Sequence, residues 1–168
     1  LDDDLGVLSV EKWEVPQALA CLKGYENIRV ALNRPPRESP MFAEFKKKIV
    51  QAGFKSYSGK PEPRQFLVTS ADDCFRALSG HRLFPRRSLE GRLQRSAILY
   101  EQGLQITDPI DIFEEFTRYK LIQGILPLEK IHSSKELDAL VAAYLAWLAV
   151  RRPGQLALQG EFALPAAE

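Results

Sequence analysis

The feature that most constrains this chain is a segment near its C-terminal end, KELDALVAAYLAWLAV, in which almost every residue after Asp138 is apolar. Ser133 and Glu136 have the S-x-x-E spacing of a capping box, which predicts a helix from Ser133 to about Val150. Its longest apolar run has twelve residues, whereas a membrane span needs roughly 20. Because a helix that is apolar on nearly all sides must be covered by other elements, the segment predicts a helix enclosed in a layered globular fold.

The rest of the chain alternates between short apolar or branched runs, typical of strands, and longer runs with helical spacing. Proline, glycine and serine mark where these runs start and stop. Such an alternation predicts an α/β layer fold. The predicted strands are Leu5–Trp13, Ile28–Leu32, Gln65–Thr69 and one or two between Gln155 and Pro165. The other predicted helices are Pro16–Gly24, Phe42–Ala52, Ser88–Gln102 and one that starts at Asp108-Pro109 with Phe113, Phe116 and Leu121 as apolar residues.

Size and composition limit the class of protein. The chain has 168 residues, of which 45% are hydrophobic and 27% are charged, which is typical of one globular domain with a real core. Its two cysteines, Cys21 and Cys74, lie far apart without CxxC spacing. A domain of this size does not need a disulfide, so we expect free thiols, a cytoplasmic location and no membrane partner.

Charge is distributed unevenly, although the formal net charge is only +1. Residues 76–100 contain six arginines and one acid. Residues 1–28 contain six acids and two lysines, and residues 101–150 contain eight acids and four bases. This pattern indicates a local positive field rather than a protein that is basic as a whole.

The stretch FPRRSLEGRLQR, residues 84–95, contains four of these arginines. With Ser88 as the N-cap, the helix is expected to turn one face inward, formed by Leu89, Leu93, Ala97 and Tyr100. The arginines left on an accessible flank would be Arg86, Arg87, Arg92 and Arg95. Two interpretations remain open: a solvated face paired to Glu90 or Glu101, which composition alone favours, or contact with phosphates near the helix N-terminus.

Asp138 stands out because a carboxylate without a partner is costly to bury. It can pair with Lys135, interact favourably with the helix N-terminus, or help to hold a divalent cation; the N-terminus alone explains most acids in first turns. Asn33 follows a predicted strand and is either a group at a strand end or a turn starter, and we favour the turn. There is no P-loop, GxGxxG or HExxH motif, and the only histidines are His81 and His132.

Three blocks of sequence carry a resemblance. They are PRQFLVTSADDCFRALSG from Pro63, FPRRSLEGRLQRSAILYEQG from Phe84, and ELDALVAAYLAWL from Glu136 with a later ALP. Together they resemble an uncharacterised prokaryotic family of predicted RNase H-like nucleases, grouped as a domain of unknown function. The resemblance covers roughly residues 42–165 and is densest over residues 63–148. Its most specific elements are Gly91-Arg92-x-x-Arg95 and Leu137-Asp138-Ala139-Leu140.

The resemblance implies a single domain over residues 1–168, with an RNase H-like sheet flanked by helices. It implies metal-assisted phosphodiester hydrolysis of nucleic acid, in which clustered carboxylates hold a divalent ion, Mg or Mn. Asp138 is then the catalytic and metal-binding carboxylate, near strand ends and within about 6 Å of another acid or a metal. The side chains implied to bind substrate phosphates are Arg86, Arg87, Arg92 and Arg95.

The chain also departs from the family pattern. The family's N-terminal strands, the first of which carries an Asp, are missing from this chain. Val68 stands where the family typically has an acid, and Asn33 stands where many members have Asp. Family loops are longer near Arg37–Pro40 and near Gly160–Glu161, which predicts breaks in the chain trace at both places.

These departures keep open an interpretation from another class: a catalytically inactive scaffold whose sheet edge and basic helix serve protein assembly, including assembly into a homo-oligomer. An electropositive groove from the arginines to Asp138 would favour nucleic acid. Arginines neutralised by Glu90, Glu114 or Glu115 would favour the scaffold.

Overall fold

A computed structural model describes residues 7–10, 29–33, 40–159 and 162–166. Within these ranges six strands form one sheet. They are β1 (Val7–Val10), β2 (Arg29–Asn33), β3 (Lys55–Ser56), β4 (Gln65–Thr69), β5 (Leu156–Gln159) and β6 (Phe162–Pro165). The strand order is β1-β2-β4-β6-β5, and β3 also pairs with β4. Every pair is parallel except β5 with β6, so the sheet is mixed.

Five α-helices and three 3-10 helices accompany this sheet in the described ranges. The α-helices are α1 (Pro40–Gln51), α2 (Ala71–Ser79), α3 (Leu89–Glu101), α4 (Arg118–Ile122) and α5 (Ser134–Arg151). The 3-10 helices are Pro109–Glu115, Leu128–Lys130 and Pro153–Gln155. The α/β prediction is therefore confirmed. The helix predicted from Asp108-Pro109 is instead a 3-10 helix followed by the short α4.

Strand β4 is the centre of the sheet and coincides with the predicted strand QFLVT. It lies between β2 and β6, and all five of its residues are buried. Its one amide side chain, Gln65, donates to the Lys60 carbonyl at 3.0 Å and accepts from the Glu62 N–H at 2.8 Å. The loop before the strand thus supplies the hydrogen bonds that a buried amide requires.

Helix α5 is the helix that the apolar sequence predicts, but it is not enclosed on all sides, because Trp147 is 39% exposed and Leu140 and Tyr144 are half-buried. Its N-cap Ser133 and Glu136 form both hydrogen bonds of the predicted capping box. The helix contacts β1, β2, β5 and β6 as well as α2 and α3. Its buried residues are Leu137, Asp138, Val141, Ala142, Leu145, Ala146, Leu148 and Ala149.

The core lies where α5 meets α2, α3 and the sheet. It includes Leu67 from β4, Cys74 and Phe75 from α2, Leu99 from α3 and Ala163 from β6. Helix α2 therefore brings a large part of the core, yet the sequence analysis did not predict it.

Several predictions lie outside the described residues. These are the helix Pro16–Gly24, the state of Cys21, and the expected breaks near Arg37–Pro40 and near Gly160–Glu161, where residues 37–39 and 160–161 are not described. Cys74, which is described, is a buried free thiol. No helix in the described part of the chain is long and apolar enough to cross a membrane.

Candidate nucleic-acid interface

The basic loop, residues 81–88, enters α3 through a tight local structure. Ser88 is the N-cap of α3, and its hydroxyl accepts a hydrogen bond from the Gly91 N–H at 3.1 Å. The Ser88 N–H and hydroxyl both donate to the Pro85 carbonyl, at 3.1 and 3.0 Å. Gly91 lies so close to this carbonyl that an added Cβ would stand 1.9 Å from the Pro85 oxygen. Only glycine fits at that position without a shift of the loop.

The start of the basic loop runs back along α3. The Phe84 N–H donates to Gln94 Oε1 at 2.8 Å, and Gln94 Nε2 donates to the Arg82 carbonyl at 3.1 Å. Arg95 Nη1 donates to the Phe84 carbonyl at 3.1 Å. These bonds fix the loop backbone against the second and third turns of the helix.

Arg95 is buried, with only 2% of the residue exposed. Its Nη2 donates to Asp72 Oδ1 at 2.9 Å, and its Nη1 also donates to the Gly91 carbonyl at 3.0 Å. The guanidinium lies over the Phe75 ring, 5.5 Å from the centroid. The predicted accessible position is therefore wrong for Arg95, which joins α2, α3 and the basic loop.

The inward face predicted for α3 is also wrong. The buried residues are Gly91, Arg95, Ser96 and Leu99, whereas Tyr100 is 41% exposed. The close approach of Pro85 to Gly91 turns the glycine side of the helix toward the interior. Arg95, one turn later on that side, is buried with it.

Arg92 is half-buried and binds the backbone that leads into α5. Its Nε donates to the His132 carbonyl at 2.8 Å, and its Nη2 donates to the carbonyls of Ile131 and Leu128. Arginine has five N–H donors in a planar fork, which suits several carbonyls at once. Arg92 thus lies at the flank of α3, as expected, but its donors are directed at the protein.

Asp138 is 2% exposed, and Arg86 Nη2 donates to its Oδ2. This ion pair joins the basic loop to α5. The Arg86 side chain remains 36% exposed, so it spans from the interior to the surface. Arg86 is thus a partner of Asp138 that the sequence analysis did not name.

Arg82 and Arg87 are the exposed cations of the basic loop, and neither forms an ion pair with another described residue. Glu90, in the first turn of α3, is exposed as well. Its own backbone N–H and the Ser88 hydroxyl lower the pKa of the Glu90 carboxyl. Of the four arginines expected to bind phosphates, Arg87 alone is exposed, while Arg82 was not among those predicted.

The described donor groups near Asp138 do not form the carboxylate cluster of a two-metal nuclease. Within the described residues, no group of three His, Cys, Asp or Glu side chains is arranged to hold a metal ion. Val68, where the family has an acid, is a buried apolar residue of β4. The Asp138 oxygen bound by Arg86 is already used. The predicted role of Asp138 as a catalytic and metal-binding residue stays a prediction.

The sequence analysis missed the role of Asp72. Asp72 and Asp73 form the acidic first turn of α2, after Ser70 at the N-cap position and before Gly80 at the C-cap. Acids in a first turn and a glycine at the end are ordinary helix signals, so SADDCFRALSG contained enough information to predict α2. Nothing local, however, indicates that Asp72 pairs with an arginine 23 residues away.

Comparison of the chain with protein-family models, with curated proteins and with solved structures found no match in any of the three. The resemblance to RNase H-like nucleases therefore rests on the sequence blocks alone.

Proposed function

We propose that this protein is an RNase H-like nuclease-family domain that binds nucleic acid, with phosphates contacting the basic loop, residues 81–88. The observation that carries the proposal is the state of Arg82 and Arg87. Both are exposed, and neither is neutralised by an acid among the described residues. Guanidinium groups bind phosphate oxygens in pairs of parallel hydrogen bonds, which makes them suited to a nucleic-acid backbone.

The rigidity of the loop backbone supports this proposal. The bonds of Ser88 to Pro85 and of Gln94 to the backbone of Arg82 and Phe84 fix the main chain on both sides of the exposed guanidinium groups. A loop that is already ordered loses less conformational freedom when a ligand binds. Arg86 connects the same loop to Asp138 of α5, which fixes the loop to a second helix.

The proposal assigns binding to the described residues and assigns no hydrolytic step to them. A two-metal phosphodiesterase needs ions about 4 Å apart and several ligands. A cleavage assay in Mg or Mn, run with the wild type and with Asp138→Asn, tests the remaining expectation that Asp138 serves hydrolysis. Metal-dependent cleavage that the Asn variant loses would make the protein a nuclease as well as a binder.

The binding test measures fluorescence anisotropy of labelled single-stranded and duplex DNA and RNA over a series of salt concentrations. For Arg82→Ala with Arg87→Ala, we expect weaker binding and a salt slope reduced by about one to two phosphate contacts, at roughly 0.7 to 0.9 per contact. The matched control is Lys47→Ala with Arg151→Ala, which removes the same charge from exposed positions outside both the basic loop and the segment between α3 and α5. This control should leave the slope nearly unchanged.

Two results would contradict the proposal. One is a wild type that binds none of the nucleic acids at low salt. The other is an equal loss of affinity in the two double variants, which would indicate a response to net charge and not to the basic loop.

The scaffold interpretation remains a second candidate, and one observation favours it. Three of the four arginines that were expected to bind phosphates are engaged by the protein itself: Arg86 by Asp138, Arg95 by Asp72, and Arg92 by backbone carbonyls. The acids that pair with these arginines are not the expected Glu90, Glu114 or Glu115. Glu115 pairs with Lys120 and Lys130. Failure of the wild type to bind any nucleic acid would favour this candidate.

A further inference from the structure

The segment between α3 and α5 exposes an unusual amount of apolar side chain. We call residues 109–128 the apolar segment. Six large hydrophobic residues in it are more than half exposed, with Ile122 at 80% and Tyr119 at 71%; the others are Ile110, Phe113, Leu121 and Ile125. Monomeric proteins rarely expose contiguous apolar patches of more than a few hundred Å². A surface of this composition indicates a binding partner.

Ion pairs of Glu115 connect the parts of the apolar segment to one another and to the helix that follows it. The Glu115 carboxylate pairs with Lys120 of α4 at 3.2 Å and with Lys130 of the next 3-10 helix at 2.5 Å. On the interior side, Pro109 and Ile112 are buried. Helix α4 itself has no buried residue. The segment is therefore fixed to the domain through Pro109 and Ile112, while its six large apolar side chains remain more than half exposed.

The charges of the segment allow it to face a copy of itself. Lys120, the one lysine of the segment, is paired with Glu115, as is Lys130 just beyond it. Asp111, Glu114 and Arg118 are exposed and have no ion pair with any described residue. A two-fold interface brings the same surface of two copies together, so Arg118 of one copy can pair with Asp111 or Glu114 of the other.

The exposed apolar area is also close to what one partner of a dimer buries. A large side chain presents about 200 Å² when fully exposed, so six that are more than half exposed present on the order of 700 Å². A standard interface buries about 800 Å² per partner. We propose that the apolar segment, residues 109–128, is a self-association surface whose occupant is a second copy of this chain. The proposal does not depend on the binding of nucleic acid by the basic loop.

The test is sedimentation equilibrium of the full chain over a range of concentrations. Interfaces of standard size have dissociation constants of about 1 µM or tighter, so we expect dimers well below about 100 µM. Ile122→Glu places a charge at the most exposed apolar position and should raise the dimer dissociation constant at least tenfold. Val50→Glu is the matched control, because Val50 is 53% exposed but lies on α1. It should leave dimerisation unchanged, and circular dichroism melts should show both variants folded.

Charge reversal provides an independent measurement. Arg118→Glu, and separately Asp111→Arg with Glu114→Arg, should each weaken self-association. Mixed together, the two variants should form heterodimers through the restored pairs of opposite charge. The proposal is overturned if the wild type stays monomeric up to about 100 µM, two orders of magnitude above the weak limit expected for such an interface. It is also overturned if dimers form but neither Ile122→Glu nor the charge reversals weaken them.

Discussion

Arg86 and Asp138, 52 residues apart in sequence, form an ion pair between the basic loop and the most apolar helix of the fold. The two partners differ in exposure: the Asp138 side chain is 3% exposed and the Arg86 side chain is 36% exposed. The guanidinium can therefore reach water by a small rotation, whereas the carboxylate cannot. This asymmetry has consequences for stability that do not depend on any function.

We expect Arg86→Ala to destabilise the protein more than Asp138→Asn does. Arg86→Ala removes the arginine that pairs with the buried Asp138 carboxylate. Breaking a buried ion pair in this way should lower the free energy of unfolding by about 3 kcal/mol. Asp138→Asn leaves a neutral amide in the interior and a guanidinium that can turn to solvent, which suggests a loss of about 1 to 2 kcal/mol. Urea titration measures both values. Arg87→Ala is the control and should stay within about 0.5 kcal/mol of wild type. The reverse order of the two losses would contradict the asymmetry.

Gly91→Ala should disrupt the basic loop. Its added Cβ would stand 1.9 Å from the Pro85 carbonyl oxygen, and backbone cannot move aside as a flexible side chain can. Relief requires the loop to shift, with loss of the Arg95 bond to the Phe84 carbonyl. We expect a loss of about 1 to 3 kcal/mol, the usual cost of overpacking. Gly154→Ala is the matched control, since no heavy atom lies within 4 Å of its added Cβ. A thermal melt that gives both variants the same midpoint would show that the loop accommodates the methyl group.

Arg95 should not tolerate replacement by lysine. Its guanidinium donates at once to Asp72, to the Gly91 carbonyl and to the Phe84 carbonyl. A lysine ammonium has no planar fork and cannot reach acceptors in that arrangement. We expect Arg95→Lys to lose about 2 kcal/mol of the free energy of unfolding, since buried acceptors lose their donors. Arg87→Lys, at an exposed position, should be nearly neutral. A neutral Arg95→Lys variant would show that charge alone matters at this position.

The parts of the fold that local rules govern were predictable from sequence. Ser88 and Ser133 are N-caps at the predicted positions, since capping depends on residues within one turn. The QFLVT strand was predicted with its observed bounds because turn residues flank an apolar run on both sides. The helix α5 itself followed from its capping box and apolar run, whereas the exposure of Trp147 depends on which neighbours cover the helix and was not predicted.

The interior positions of the arginines could not be predicted in this way. Arg95 is buried because Gly91 packs on the Pro85 carbonyl, and Asp72 comes from a different helix. Both contacts depend on how separate elements pack against each other. The number of charged residues in a segment gives no information about that packing. Exposure is predicted for Arg95 because the apolar residues of α3, such as Leu89 and Leu93, indicate a different inward face. The pairing that makes Arg95 an exception is set by tertiary structure.

The capping box of α5 should make stability depend on pH in the acid range. The backbone N–H and the hydroxyl of Ser133 lower the pKa of the Glu136 carboxyl below its ordinary value of 4.5. A lowered folded pKa contributes stability that is present above the ordinary value and is lost as pH falls through the folded pKa. Ser133→Ala should cost about 1 kcal/mol near neutral pH. It should cost less in acid, where Glu136 is protonated. The test compares the urea midpoints of wild type and Ser133→Ala near neutral pH and at a pH below the folded pKa of Glu136. An equal loss of stability at the two pH values would contradict the prediction.

Cys74 should remain an unreactive thiol as long as the protein is folded. Its Sγ lies 2.8 Å from Thr69 Oγ1 in the core, and burial raises the pKa of the Cys74 thiol to about 12, from an ordinary value of 9.0. Since the thiolate is the reactive form, a thiol reagent at mildly alkaline pH should label Cys74 only after unfolding. The measurement uses a Cys21→Ser variant, so that one thiol is counted. Between pH 9 and 12 the unfolded state loses its proton first, so stability should fall as pH rises through that window. Rapid labelling in native buffer, at a rate that urea does not change, would show that the core around Cys74 opens without global unfolding.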